Sequence, residues 1–495
     1  MSSRSSARLL FALAVLLTAT FLMGVAPASA ATFTVTKTAD TADGSCNADC
    51  SLREAVIAAN AAAGPDQIVL PPGRYVLSIP GTDENASADG DLDISGDTTV
   101  AGAGAPTTII DGNGTVTNSR VLHILSGTTV TITGVTITGG NELGNMYPNS
   151  GGGIFIDDAT QFNLFDSVVT GNRTEYWSGG LDIEGPSLIQ NVTVSNNVAG
   201  EAAGGAEVET TGVTFTNVTF SGNTANEHGG AVALHDPGTI FNNVTMIGNL
   251  ADADNSGGED GGGLYVDDDA TIRNSIIAGN SVGGTGTDPD CFDSGNLTSQ
   301  GHNLVQVPGS CSFTATGDKT GLSPNAGPLA DNGGPVPTRA LLPGSPAIDA
   351  GDPGAPGSGG TACAATDARG ASRTGTCDIG AYELVVCKGA VVNRLGTEGN
   401  DTLVGTTGPD GFLAFGGNDL VRGLGGKDTA CLGPGKDVGA GGGGKDRLFG
   451  EGGKDRLKGQ GGNDRLVGGP GKDTCAGGPG KKDKARQCEV TKSVP

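Results

Sequence analysis

Residues 188–197 read LIQNVTVSNN, residues 214–223 read TFTNVTFSGN and residues 240–249 read IFNNVTMIGN. Related runs are TITGVTITGGN at 131–141, FNLFDSVVTGN at 162–172 and IRNSIIAGN at 272–280. Aligned on the polar or small residue before the second apolar run, they meet at Gly134, Asp166, Asn191, Asn217, Asn243 and Asn274, in steps of 32, 25, 26, 26 and 31. Each unit holds short β-branched runs with alternate apolar positions, broken by Gly and Asn, which is the pattern of strand, tight turn, strand. One such coil has an apolar face it cannot bury alone. Equivalent coils stacked about 4.8 Å apart share a continuous core. The Asn and Gly positions supply turns with φ > 0. The period predicts a right-handed parallel β-helix over 65–331. A β-sandwich is the alternative, but it has no need of a constant period.

Composition agrees. The 495 residues include 88 glycines and only 4% aromatics, which excludes an ordinary helical enzyme. Arg4 and Arg8 precede the apolar run LLFALAVLLTATFLMGVA, and ASA ends at Ala30, so residues 1–30 read as a signal peptide. No later stretch is long and apolar enough to span a bilayer. The expectation is export to the extracellular space, with possible attachment to the cell surface and no intrinsic transmembrane anchor. Ten cysteines suit an oxidising compartment. Sequence leaves their connectivity open. Close spacing suggests Cys46–Cys50, Cys291–Cys311, Cys363–Cys377 and Cys475–Cys488, with Cys387 and Cys431 left over. A zinc site is disfavoured, since no paired CxxC occurs. The formal charge of −25 is uneven: from residue 396 on, 15 Lys+Arg face 13 Asp+Glu, about +2, which leaves −27 for the rest. An acidic body disfavours nucleic acid as a partner.

CSLREAVIAAN, from Cys50, lies before the coils. Ser51 and Glu54 have capping-box spacing, and Val56, Ile57 and Ala59 form an apolar stripe. Residues 31–64 therefore read as an N-terminal strand and a helix that caps the open end of the β-helix, where strand edges otherwise invite aggregation. Cys50–Ala55 resembles the CSLREA-type domain of secreted β-helix proteins. GNTANEHGGAV, at 222–232, resembles repeats of bacterial polymorphic membrane proteins. Residues 332–383, from NGGPVPTRALLPGSPAIDAG to TGTCDIGAYE, resemble the choice-of-anchor Q region that ends many such β-helices, with Ala368 where Gln is usual. These resemblances imply fold and export and no particular reaction. Residues 332–386 are expected to cap the last coil, with Asp349, Asp367, Arg369, Arg373 and Asp378 in an ion-paired network.

From residue 396 the chain divides into nonapeptides such as GEGGKDRLK and GQGGNDRLV. Aspartates recur at Asp401, Asp410, Asp419, Asp428, Asp437, Asp446, Asp455, Asp464 and Asp473, each with a glycine two residues before it; the register then slips, with Lys482 and Asp483. Glycines allow tight turns that aim carbonyls inward, and carboxylate and carbonyl oxygens are what a hard cation such as Ca²⁺ prefers. The pattern resembles RTX, or hemolysin-type, calcium-binding repeats. The resemblance implies a small parallel β-roll over 387–495 with two nonapeptides per coil and two aspartate columns 18 residues apart in step. In it the nine aspartates hold calcium, and metal replaces the missing core. The thin apolar positions run Leu403, Phe412, Val421, Ala430, Gly439, Leu448, Leu457, Leu466 and Cys475.

A last pattern follows the glycine pairs of the coils. Counting from Gly153, Gly180, Gly205, Gly230 and Gly263, positions one and three face inward: Ile154/Ile156, Leu181/Ile183, Ala206/Val208, Ala231/Ala233 and Leu264/Val266. Positions two and four face solvent: Phe155/Asp157, Asp182/Glu184, Glu207/Glu209, Val232/Leu234 and Tyr265/Asp267. Stacking makes an acidic ladder, with Asp182, Glu184, Glu207 and Glu209 as candidate catalytic or ligand-binding residues and Tyr176 and Trp177 nearby for a sugar ring. The four histidines, His123, His228, His235 and His302, show no triad spacing and read as loop or turn residues. The Asn-x-Thr triplets at 172, 191, 217 and 243 read as turn and ladder residues rather than glycan sites. The function expected is that of an exported, all-β, calcium-binding interaction or adhesion protein. The rival is a polysaccharide lyase or glycoside hydrolase acting through the ladder. Fold alone does not choose between them.

Overall fold

In a computed structural model, which describes residues 30–81, 84–143, 150–258, 260–480 and 482–493, the chain is nearly all β. The expected signal peptide falls outside the described residues, apart from Ala30. Three long sheets run the length of the coil stack. One holds ten strands from Thr32–Thr34 to Asn296–Ser299, a second holds ten from Gly73–Val76 to Lys319–Thr320, and a third holds eight from Leu92–Ile94 to Cys291–Asp293. A narrow fourth sheet of two-residue strands runs from Asn141–Glu142 to Ser281–Val282. Every pairing in these four sheets is parallel, coil on coil, as in Val194↔Phe220 and Phe220↔Met246. This is a parallel β-helix. Inward residues of all coils form one core, from Val35 to Phe313.

The turn that gives the period its phase is left-handed in each coil. Asp166, Asn191, Asn217, Asn243 and Asn274 have φ between 47° and 56°, and Gly134 has 68°. Asn is the side chain that tolerates this region best. A second asparagine series is buried. Asn197 accepts from the N–H and Nδ2 of Asn172, Asn223 does the same for Asn197, and Asn249 and Asn280 continue the ladder to Asp290. Each corner thereby satisfies backbone and side-chain donors that the β-ladder leaves over. Asn172 belongs to this ladder, and Asn191, Asn217 and Asn243 to the left-handed turns.

The helix Leu52–Ala61 closes the N-terminal end. Its capping box forms as expected: the Ser51 side chain accepts from Glu54 N–H, and Glu54 accepts from Ser51 N–H. Burial would raise the Glu54 carboxyl, but donors from Thr41, Ser51 and Asp43 outweigh it and hold it down at about 2. Fully buried Arg53 fixes the helix by pairing with Asp40 and donating to the carbonyls of Ser87, Asp89, Gly90 and Asp91.

Residues 332–383 are not confined to the last coil, where Leu304 packs with Leu341 and His302 meets Ala350 O. They run along the flank of several coils, where the left-handed asparagines reach them. Asn217 Nδ2 donates to Thr366 O, Asn274 Nδ2 to Thr361 O, and Thr193 Oγ1 to Pro337 O. The charge network is also composed differently. Asp367 pairs with Arg369, and Arg373 pairs with Glu383, a residue absent from the expected set, while Asp349 contributes its N–H to Asp378 rather than its carboxylate. Five disulfides join Cys46–Cys50, Cys291–Cys311, Cys363–Cys377, Cys387–Cys431 and Cys475–Cys488.

The C-terminal nonapeptides form a second, smaller stack. Two parallel sheets face each other, one from Arg394–Leu395 to Lys484–Arg486 and one from Thr402–Val404 to Val490–Lys492. Between them lies a thin core of Phe412, Val421, Ala430, Leu448, Leu457, Leu466 and Cys475, joined by Ala414 and Leu432. Among the described residues no helix is long and apolar enough to cross a membrane.

Candidate functional site

Two nonapeptides make one coil, so aspartates 18 residues apart are vertical neighbours. The N–H of Asp401 donates to Asp419 Oδ1, that of Asp419 to Asp437, that of Asp437 to Asp455 and that of Asp455 to Asp473, at 2.8–3.0 Å. The second column runs Asp410, Asp428, Asp446, Asp464 in the same way. It then continues to Asp483, whose Oδ1 accepts from Asp464 N–H across 19 residues. The register slip is thus absorbed, and Asp483 is a column member the period alone does not reveal. Glu489 closes the first column by accepting from Asp473 N–H, and Asn393 opens the second beside Asp410.

One oxygen of each aspartate is spent on this ladder. The other is not. Oδ2 of Asp419, Asp428, Asp437, Asp446, Asp455, Asp464, Asp473 and Asp483 is buried with no hydrogen-bond partner. Eight buried anionic oxygens without partners are costly in a protein interior. Only at the first coil are they satisfied: Oδ2 of Asp401 accepts from Thr397, and that of Asp410 from Thr406. The space beside six of the eight orphans is kept open by glycine. A Cβ placed on Gly423 would fall 2.2 Å from Asp428 Oδ2 and 2.3 Å from Gly441 O; one on Gly459 would fall 2.3 Å from Asp464 Oδ2 and 2.6 Å from Gly477 O. Carboxylate and carbonyl oxygens around a cleft without side chains are a donor set suited to Ca²⁺. The first column departs from this at the equivalent positions before Asp419 and Asp437, where buried Ala414 and Leu432 stand in place of glycine. Burial pushes Asp428, Asp437, Asp446 and Asp455 up to about 6 against the ladder hydrogen bonds, with neighbouring column aspartates adding to the rise for each.

A second cluster lies on the outer face of the eight-stranded sheet. Strand register stacks Asp93, His123, Phe155, Asp182, Glu207, Ala233, Tyr265 and Phe292 in one column. Asp182 and Glu207 are neighbours, as the ladder predicted. In the next coil the prediction slips by one: Val232 and Leu234 face the core and Ala233 faces outward, because Ala231 takes the place that Gly205 holds one coil earlier. The column is not an open acidic face either. Phe155, Asp182 and Glu207 are only 2–3% exposed, whereas Glu184 is half-buried and Glu209 exposed. Tyr176 and Trp177, with ring centroids 6.2 Å apart, precede Ser178, whose Oγ donates to Glu207.

Two histidines belong to this cluster: His123 lies in the strand Leu122–Ile124 rather than in a loop, and His235 lies in the loop that directly follows the strand Val232–Leu234. His123 bridges Asp93 at 3.3 Å and Asp157 at 2.9 Å; His235 bridges Glu207 at 3.2 Å and Asp267 at 3.5 Å. His228, in a loop, stacks on Tyr265 with centroids 4.0 Å apart, and His302, also in a loop, contacts Ala350 O. Burial would lower His235, but the hydrogen bond and charge of Glu207, aided by Glu209 and Asp267, hold it above the usual imidazole value. Burial, then the charge of Glu207, pushes Asp182 well up, and one of its oxygens is buried without a hydrogen-bond partner. Burial and Glu209 push Glu184 up to about 7.

Comparison with known proteins bears on the C-terminal stack. The profile of the RTX calcium-binding nonapeptide repeat matches residues 395–430, 433–464 and 449–481. No curated protein sequence matches the chain. Among solved structures, the crystal structure of pectate lyase Pel9A aligns at 14% identity over 72% of this chain and 97% of its own, with a TM-score of 0.27. The PL6 family alginate lyase AlyGC aligns at 10% identity over 90% of this chain and 76% of its own, with a TM-score of 0.19. Residues 395–481, with their two columns of ladder-bonded aspartates, carry RTX calcium-binding nonapeptide repeats.

Proposed function

We propose that this is an exported β-helix protein that acts outside the cell as an interaction or adhesion module, with a C-terminal roll held together by calcium. The observation that carries the calcium assignment is the set of eight buried Oδ2 atoms without partners, six of them beside a space that glycine keeps open. Asp419 to Asp473 in one column and Asp428 to Asp483 in the other hold the ions, and Asp401 and Asp410, satisfied by threonine, close the end. Binding energy is then folding energy for a stack with so thin a core. The leader-like residues 1–30, the five disulfides and the CSLREA-type and choice-of-anchor Q-like segments support export. Titrating calcium into chelator-stripped protein by calorimetry tests the assignment: heat for calcium and little for magnesium is expected. No calcium binding at millimolar concentration sinks it.

A second reading, a polysaccharide lyase or hydrolase, is favoured by one observation. Asp182 and Glu207 stand one coil apart in different settings, the first pushed toward its protonated form, the second oriented by Ser178 and His235. A proton donor beside an acceptor is what acid–base cleavage needs. Screening for binding and cleavage on acidic and neutral polysaccharides, with Glu207→Gln as control, decides it. Cleavage that survives the substitution removes the ladder from consideration.

A further inference from the structure

One face of the roll is basic where the fold does not require it. On the sheet that ends in Lys484–Arg486, strand register places Arg447 opposite Arg465, Arg465 opposite Lys484, and Val467 opposite Arg486. Lys445 and Lys482 flank them on the preceding turns. Like charges directly opposite on one sheet face are destabilising. The same register position is Thr429 one coil earlier and Gly411 before that, so the backbone accepts neutral residues there. On the opposite sheet the equivalent column reads Leu420, Val438, Arg456, Thr474, Val490, with one cation, and the column two residues on carries Arg422, Lys458 and Lys492 separated by Ala440 and Ala476, so no two cations adjoin within either column. On the first sheet, by contrast, cations adjoin on three successive coils, Arg447, Arg465 and Lys484, toward one end.

The cations at that end line a groove of about 530 Å³ formed by Lys445, Arg465, Lys482, Lys484 and Arg486 with Asn463, and Asp464 at its floor. Apart from Asp464, buried in the column, the groove offers no carboxylate: among the described residues none of the five cations forms an ion pair. The guanidinium carbons of Arg447 and Arg465 lie over the Phe449 ring, 5.5 and 5.9 Å from its centroid.

We propose that this groove binds an acidic polysaccharide, a linear chain bearing carboxylates at regular intervals, and binds it more tightly when calcium fills the columns. The cations repeat along a line at the coil rise of about 4.8 Å, which presents a periodic row of charge to a periodic polyanion. Arg and Lys supply donors that match carboxylate geometry. A single-stranded nucleic acid wants aromatic platforms for its bases, and Phe449 lies beneath arginines. A second copy of this chain is a poorer fit: of its ladder acids Asp157 is engaged by His123 and Asp267 by His235, which leaves Glu209 as the exposed carboxylate. The calcium dependence rests on the column reading above. Asp446, Asp464 and Asp483 stand behind the groove as buried carboxylates, and a divalent cation beside them raises the potential the groove presents. Coupling of this kind is reciprocal, so the polysaccharide also tightens calcium.

The test uses the full-length protein and a galacturonate hexasaccharide, too short to gel. Calorimetric titration in excess calcium and in chelator is compared with the charge-reversed pair Arg465→Glu/Lys484→Glu. If that pair fails to fold, Arg465→Gln/Lys484→Gln replaces it. Saturable binding is expected, weakened about tenfold or more by the substitutions and by added salt. Calcium titration of the same variants, which keep every column aspartate, should still saturate at the wild-type stoichiometry, which separates failure of the groove from failure of the columns. Equal affinity in the variants overturns the proposal. So does tighter binding of an oligothymidylate of equal charge, or self-association that the substitutions abolish while the hexasaccharide does not bind. Binding that is identical with and without calcium overturns the coupling.

Discussion

Asp446 and Asp464 are one coil apart: the Asp446 N–H donates to Asp464 Oδ1 at 2.9 Å, while Asp446 Oδ2 is buried with no partner. Each column aspartate beyond the first coil thus has an Oδ2 without a hydrogen-bond partner, and at Asp446 the ladder role of Oδ1 and the charge are separable by substitution. Asp446→Asn keeps an acceptor for the Asp428 N–H and removes the charge. Asp446→Ala removes both. Both variants should lose calcium affinity in the two gaps flanking that coil, while only the alanine variant leaves the Asp428 N–H unsatisfied in the calcium-free state, at a cost of about 1–3 kcal/mol. Calorimetry with calcium and denaturant unfolding in chelator check the two effects. Wild-type stoichiometry and affinity in Asp446→Asn sink the column assignment.

The pH dependence should change sign with calcium. In the metal-free roll, Asp428, Asp437, Asp446 and Asp455 are pushed up to about 6 from an ordinary value of 3.8. A raised folded-state pKa means protonation favours the folded state. That stability is fully present below about 4 and is lost as pH rises through about 6. With calcium the ionised form is the one bound, so stability instead rises over this window. Melting temperatures of the roll transition between pH 4 and 7, in chelator and in excess calcium, should slope in opposite directions. Asp428→Asn with Asp446→Asn should flatten the chelator slope. Parallel slopes in both media refute the scheme.

Much of this was legible in sequence because chain and structure share a period. Asn191, Asn217 and Asn243 repeat at 26 residues and all adopt φ near 55°. The nine-residue aspartate step is read directly, its folding into two columns is what the resemblance to RTX repeats implies, and close spacing suggests four of the cysteine pairs with Cys387 and Cys431 left over. What escaped depended on coil length at a single point. Ala231 replaces a glycine, so counting from the glycine pair displaced Val232 and Leu234 by one. His123 meets Asp157 across 34 residues, and that pairing becomes visible only once the lengths of the intervening coils are known. Asp483 joins its column because one extra residue is accommodated between Asp464 and it. The flank packing of residues 332–383 against Asn217 and Asn274 leaves no local pattern at all.

The roll also carries backbone strain that is open to relief. Leu424 and Gln460 have φ of 71°, the left-handed region that costs a side-chain-bearing residue roughly 1–2 kcal/mol. Equivalent positions elsewhere in the roll are glycine, as at Gly433 and Gly442, with φ of 87° and 102°. Leu424 is 54% exposed, so little packing is lost on truncation. Leu424→Gly should stabilise the calcium-free roll by about 0.5–1 kcal/mol after the entropy cost of glycine is deducted. Denaturant midpoints in chelator measure it. A destabilised variant shows that the leucine side chain holds the turn in some other way.

His235 reports on the ladder. Glu207 Oε1 accepts from the imidazole Nε2 at 3.2 Å, Asp267 faces the other ring nitrogen at 3.5 Å, and Glu209 adds charge. His228, lowered to about 4 by burial and by His235 itself, stacks on Tyr265, which stands in the same outward column as Glu207. A raised His235 contributes stability that is complete below about 6.5 and is lost as pH rises through its folded value. Glu207→Gln removes the strongest upward influence while keeping the shape of the side chain. Burial then dominates, and the His235 titration should fall, with His228 rising slightly because its cationic neighbour is neutral over more of the range. Proton NMR of the two imidazoles reads both. If His235 titrates unchanged in Glu207→Gln, the contact does not hold the proton, and Glu207 and His235 cannot act together in acid–base chemistry.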